Sequence, residues 1–180
     1  MMYTFQDGFS TTVASRNASQ QRVRFSNIQS SLASNGWPRG PDFLTMAGVE
    51  WDFKHWQDAK AAPDFAAIRP AINMQVHIAR EQWPTLSGLF LRTMYRSDRY
   101  VRIPAYVEQY NHILRSFHKA SAVSSRPCES IYIADMALLM RHNGTHKSGW
   151  TDGLHPGPWV TLQYVGLCAN ALADLGELCS

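Results

Sequence analysis

The stretch Thr151-Asp152-Gly153-Leu154-His155-Pro156-Gly157 sets a carboxylate and an imidazole three residues apart in a Gly/Pro turn. Such a turn lets Asp152 orient one ring nitrogen of His155 while the other nitrogen faces a nucleophile carried elsewhere in the chain. That is the division of labour hydroxyl-based acyl transfer requires. The alternative is a plain turn whose His155 is only solvated. A hydroxyl partner must come from elsewhere, and Ser10, in Asp7-Gly8-Phe9-Ser10, follows the short apolar stretch 2–5. Its competing role is a helix N-cap followed by Thr11 and Thr12.

Other chemistry-bearing residues carry less. His55, in Trp51-Asp52-Phe53-Lys54-His55-Trp56, has two indoles beside it and fits either the lining of a sugar or acyl cleft or aromatic packing over a sheet edge. Of the seven histidines only His142 and His146 stand four apart, and Asn143-Gly144 between them breaks a shared helical face, so no metal site is expected. No cofactor is expected either, and there is no Gly-rich phosphate loop. Arg92, Arg96, Arg99 and Arg102 form a basic cluster that fits an anionic ligand or a solvated loop. Cys128, Cys168 and Cys179 show no ligand spacing and are too few for a disulfide scaffold; they read as buried thiols, with one bridge open.

With 180 residues, 45% hydrophobic and 17% charged, the chain is long enough and apolar enough to fold around a core. A net charge of +3 with dispersed basic residues gives no phosphate-backbone footprint, so nucleic acid is not an expected partner. No apolar run approaches the roughly 20 residues that span a bilayer, and the polar stretch 1–16 lacks the apolar centre of a secretory signal. The sequence leaves the compartment open.

These residues need elements to position them. Residues 22–28 alternate polar with apolar and read as a half-exposed strand, whereas 42–48, 88–95 and 130–136 are short apolar runs after turn signals and read as buried strands. Helical periodicity covers 64–82, with Pro70 in the first turn or at a kink, and 103–119, with Val107, Tyr110, Ile113, Leu114 and Phe117 on one face. A third, apolar helix covers 159–178. Strands alternating with such helices predict a three-layer α/β/α sandwich around a mostly parallel sheet. Ligands in such folds bind at the carboxyl ends of the strands, where 48–55, 95–102 and 141–157 would converge.

Read in order, Pro41-Asp42-Phe43-Leu44-Thr45-Met46-Ala47-Gly48-Val49-Glu50-Trp51-Asp52, Gly88-Leu89-Phe90-Leu91-Arg92-Thr93-Met94, Tyr110-Asn111, Ile133-Ala134-Asp135-Met136 and Asp152-Gly153-Leu154-His155-Pro156 resemble the SGNH (GDSL-type) hydrolases, in particular the PC-esterase-like branch. The resemblance runs from about residue 22 onward. It implies a flavodoxin-like sheet and removal of acyl groups from lipids or sugars, with Asp152 orienting His155 and His155 as base. It divides the chain into an extension over 1–21 and an SGNH-hydrolase-like domain over 22–180, and it puts Gly48, Trp51, Asp52 and His55 at the substrate side.

The chain departs from the family in two places. No Gly-Asp-Ser occurs, which leaves Ser10 as the nucleophile candidate, and the block that carries an oxyanion-holding Asn offers Ala47, Gly48 and Glu50 instead. Losing one oxyanion donor costs on the order of a hundredfold to a thousandfold in rate, and a carboxylate there repels the developing charge. The family's first strand is also missing between 22–28 and 42–48. Residues 2–5 could fill the gap, the flanking strands could pair directly, or a neighbouring chain could supply a strand. The expected function is therefore an SGNH-hydrolase-like pseudoenzyme acting as an accessory or structural subunit with protein partners. An active O-acyl esterase, with an acyl ester or carbohydrate ligand, is the alternative, and a carbohydrate-binding remnant using Trp51, His55 and Trp56 is a third reading.

Overall fold

The computed structural model describes residues 2–5, 17–94, 104–121, 131–143 and 158–179. The chain is mixed α/β with a parallel sheet, and by compactness it divides into two units, Met1–Phe90 and Leu91–Ser180. Strand β3 (Gly88–Arg92) spans the division, and the sheet order is β1 (Met2–Phe5), β2 (Phe43–Ala47), β3, β4 (Ile131–Ala134).

In the first unit, β1 (Met2–Phe5) pairs parallel to β2 (Phe43–Ala47), with Met2 opposite Leu44 and Phe5 opposite Ala47. Residues 2–5 thus do form a strand, but the expected gap between strands at 22–28 and 42–48 does not exist, because 22–28 is helical and β1 has β2 alone as its neighbour among the described strands. Between the two strands runs α1 (Ala18–Ser34), and here the expected strand over 22–28 is wrong. The Asn17 side chain accepts from the Gln20 backbone N–H at 3.2 Å and caps the helix. At the other end the N–H of Gly36 reaches the carbonyl of Ala33 and that of Trp37 the carbonyl of Leu32, a Schellman closure with Gly36 at φ +86°. Between the caps only Gln21 and Phe25 are buried, one turn apart, while Val23 is 60% exposed. The alternation in 22–28 matches no buried face; the spacing of four does.

β2 leads through Gly48 into α2 (Val49–Asp58), a helix where a strand-end loop is expected from the sequence. Next comes α3 (Phe65–Gln82), capped by the Asp64 side chain on the Ala67 N–H at 3.2 Å. Pro70 lies inside that helix, past its first turn. Helix α3 packs on α1, with Phe25 and Trp83 rings 5.1 Å apart, and Arg22 paired with Glu81 at the exposed rim. Leu44, Met46, Ile68, Ile72, Ile78, Ala79 and Trp83 are buried at 1% exposure or less.

In the second unit, α4 (Pro104–Ser121) buries Val107, Tyr110, Asn111, Leu114 and Phe117 along one face and packs on β4 (Ile131–Ala134). Ile113, expected on that face, is half-buried. A short α5 (Met136–Asn143) follows at once, where the sequence predicts the end of a strand and a loop. The last helix, α6 (Pro158–Cys179), contacts both α5 and β4 and turns Tyr164 and Cys168, one turn apart, inward. Among the described residues no helix is long and apolar enough to cross a membrane.

Candidate functional site

The aligned ends of β1 and β2 fix where the first unit can gather chemistry. Because Phe5 stands opposite Ala47 in a parallel pair, the chain leaves both strands at the same end of the sheet. Beyond Ala47, Gly48 is buried and opens α2; its carbonyl accepts from Trp51 and Asp52 at 3.2 Å each. Trp51, Asp52 and His55 follow on the first two turns of that helix. Three of the four expected substrate-side residues, Trp51, Asp52 and His55, therefore share one short helix, and the fourth, Gly48, is its N-cap.

Their surroundings differ. Asp52 is fully buried, while Trp51 and His55 are half-buried with ring centroids 6.3 Å apart. The Nε2 atom of His55 is buried without a hydrogen-bond partner. On the far side of the helix, Phe53 and Trp56 meet edge to face at 5.3 Å, and Trp56 meets Phe65 at 5.9 Å. Trp56 is thus a core anchor that packs α2 against the start of α3.

Ser10, Asp152 and His155 lie outside the described residues, as do Arg96, Arg99, Arg102, Cys128 and His146. Arg92, at the end of β3, is half-buried. Cys168 is a free, buried thiol whose burial pushes its pKa up, against a smaller pull from Tyr164. It is protonated at neutral pH and a poor nucleophile. Among the described residues no group of three His, Cys, Asp or Glu side chains could hold a metal ion.

The second unit contains a hydrogen-bonded network centred on Asp135. Thr93, just past β3, donates its N–H to the carbonyl of Ala134 at 3.1 Å and its hydroxyl to Asp135 Oδ1 at 2.9 Å. Asp135, just past β4, also accepts from Arg115 Nε at 2.9 Å, Arg115 Nη2 at 3.1 Å and the Leu138 N–H at 3.0 Å. The Thr93 hydroxyl in turn accepts from the Ala137 N–H at 2.9 Å. Two orphan amides at the start of α5 are satisfied in this way. Burial works to raise the Asp135 pKa but is outweighed by Arg115, the Leu138 amide and the Thr93 hydroxyl, so the carboxyl sits below its ordinary value. The same hydrogen bonds raise Arg115. A readable signal existed: an Asp between an apolar run and Met136-Ala137-Leu138-Leu139 is an N-cap pattern.

Beside this network, Asn111 is fully buried; its Oδ1 accepts from the Met94 N–H and its Nδ2 donates to the Met94 carbonyl, both at 2.8 Å. Its amide imitates a strand partner for the chain leaving β3. No family model, no curated protein and no solved structure matches this chain.

Proposed function

We infer that the chain is an SGNH-hydrolase-like α/β/α domain whose acyl-transfer machinery is incomplete and which acts through its surface, as an accessory or structural subunit. The observation that carries this reading is the exposed apolar side chains of α6, Leu162 and Val165 on one flank of the buried Tyr164–Cys168 stripe and Leu167 on the other. Leu162, Val165 and Leu167 are 65%, 45% and 55% exposed on a helix with no charged residue from Pro158 to Ala173. Isolated exposed apolar residues are ordinary, but three on one uncharged stretch favour a covering partner. The sequence points the same way: past β2 stand Gly48 and Glu50 where the resemblance calls for an oxyanion-holding Asn.

An active O-acyl esterase is the second reading, favoured by the register of β1. Ser10 is five residues past Phe5, and Phe5 is level with Ala47, so the sequence carries a hydroxyl just after the strand end that Gly48 also follows. In that reading Asp152 orients His155, and His155 takes the proton from Ser10 as its oxygen attacks the acyl carbon.

Hydrolysis of p-nitrophenyl acetate by the wild type, His155→Ala and Ser10→Ala separates the two. Equal rates in all three support the accessory reading; turnover lost in both variants overturns it in favour of the esterase.

A further inference from the structure

The connector between α1 and β2 is built with unusual care for a stretch distant from the candidate chemistry. It runs through Asn35, Gly36, Trp37, Pro38 and Arg39, all exposed, and Trp37 is 63% exposed. It enters β2 at its amino end, opposite the end from which Gly48 leaves. A mobile loop would carry an exposed indole without consequence, but this one is pinned throughout. The Trp37 N–H bonds the Leu32 carbonyl at 2.9 Å, and the Gly40 N–H bonds the Trp37 carbonyl at 3.2 Å. Gln29 donates Nε2 to the Pro38 carbonyl at 2.7 Å and accepts from Trp83 Nε1 at 2.6 Å, which ties the connector to a buried indole. Gly40, at φ +78°, lies so close to Trp83 that a Cβ would meet its Cδ1 at 2.3 Å. The exposed indole is therefore held on a fixed base, and the ordering entropy of binding is largely met in advance.

We propose that Trp37 is a stacking platform for a β-1,4-linked, all-equatorial pyranose chain, with two neighbours in the connector to meet its hydroxyls: Arg39 as donor, and Asn35 through its Oδ1 and the Nδ2 hydrogen left over from the 2.7 Å bond to the Ser31 carbonyl. The surroundings choose the ligand class. A protein interface needs about 800 Å² per partner with an apolar centre. Here a single indole stands among an amide, a glycine and a guanidinium, and the other exposed large apolar side chain among the described residues of this unit, Val23, is about 17 Å back along α1 at its 1.5 Å rise per residue. One small apolar surface ringed by polar groups matches a sugar ring, whose axial C–H bonds lie against the negative face of the indole while its hydroxyls point outward. All-equatorial rings offer that C–H surface on both sides. The proposal rests on the first unit alone and stands whether or not the chain hydrolyses esters.

The test is a titration of 15N-labelled protein with cellohexaose, following the Trp37 indole N–H in two-dimensional NMR spectra, with maltohexaose as the α-linked control. The expected result is a saturable shift with an affinity on the order of millimolar, at least tenfold weaker in Trp37→Ala, partly kept in Trp37→Phe, and absent with maltohexaose. An unmoved Trp37 signal, equal binding by Trp37→Ala, or equal response to maltohexaose would each overturn the proposal. So would a shift that follows protein concentration without sugar, which would assign the indole to self-association. Unchanged remaining resonances in Trp37→Ala establish that the fold is intact.

Discussion

Arg115 grips Asp135 with two prongs, Nε to Oδ2 at 2.9 Å and Nη2 to Oδ1 at 3.1 Å, tying the residue after β4 to the middle of α4. Because Asp135 also receives Thr93 and the Leu138 amide, one carboxylate joins the exits of two strands to the start of a helix.

Removing that carboxylate has a larger effect than removing its cation. Asp135→Ala deletes the cap, the Thr93 partner and the Arg115 pairing together and is expected to cost about 2–3 kcal/mol. Arg115→Ala leaves the cap and the hydroxyl in place; with both side chains about a third exposed, its cost is about 1 kcal/mol. Urea denaturation of the two variants measures the order, and equal effects would show that the cap contributes nothing.

Acid should unmake the same hub. The folded-state carboxyl lies below its ordinary value of 3.8, so its contribution is fully present above that value and lost as the pH falls through the lower folded one. The stability gap between wild type and Asp135→Asn is therefore constant near neutrality and shrinks below about pH 4. A gap that stays level through acid titration would contradict the shift.

Glycines 36 and 40 make an internal comparison. Both have positive φ, but an added Cβ at Gly36 meets open space whereas at Gly40 it runs into Trp83 and Gln29. Gly36→Ala is expected to cost about 1 kcal/mol from backbone strain alone, and Gly40→Ala about 3 kcal/mol because overpacking adds to it. The check is the difference in urea midpoint between the variants at equal slope.

Asn111 allows a test of shape against charge. Asn111→Asp keeps the acceptor for the Met94 N–H but removes the donor to its carbonyl and buries a carboxylate at neutral pH. It should therefore be less stable than Asn111→Ala, which only leaves two backbone groups unmet. Thermal unfolding at pH 7 decides the order, and the reverse order would mean water reaches this site.

The sequence made β2, β3 and β4 legible because short apolar runs after turn signals have few other meanings, and Asp64 announced α3. Helix α1 was misread because the alternation at 22–28 spoke louder than Asn17 and Gly36, although only Gln21 and Phe25 are buried there. The short helices α2 and α5 begin at the last residues of apolar runs, which hides their caps inside apparent strands. The clustering of Gly48, Trp51, Asp52 and His55 was readable from adjacency. Of the Asp135 network only the cap on α5 was readable; its partners Arg115 and Thr93 are 20 and 42 positions away and nothing local announces them.

The register of β1 has a kinetic meaning. Met2 finds its partner in Leu44, 42 positions along the chain, and as a parallel strand it has no tight hairpin to bring it there. Closing so long a loop is entropically costly until other contacts have drawn the ends together. The α1–α3 contact around Phe25 and Trp83 can do that without the first strand. β1 then joins a largely assembled unit as its last piece. These residues are made before the rest of this unit and used after it, and in refolding experiments amides 2–5 would be the slowest of this unit to gain protection from exchange.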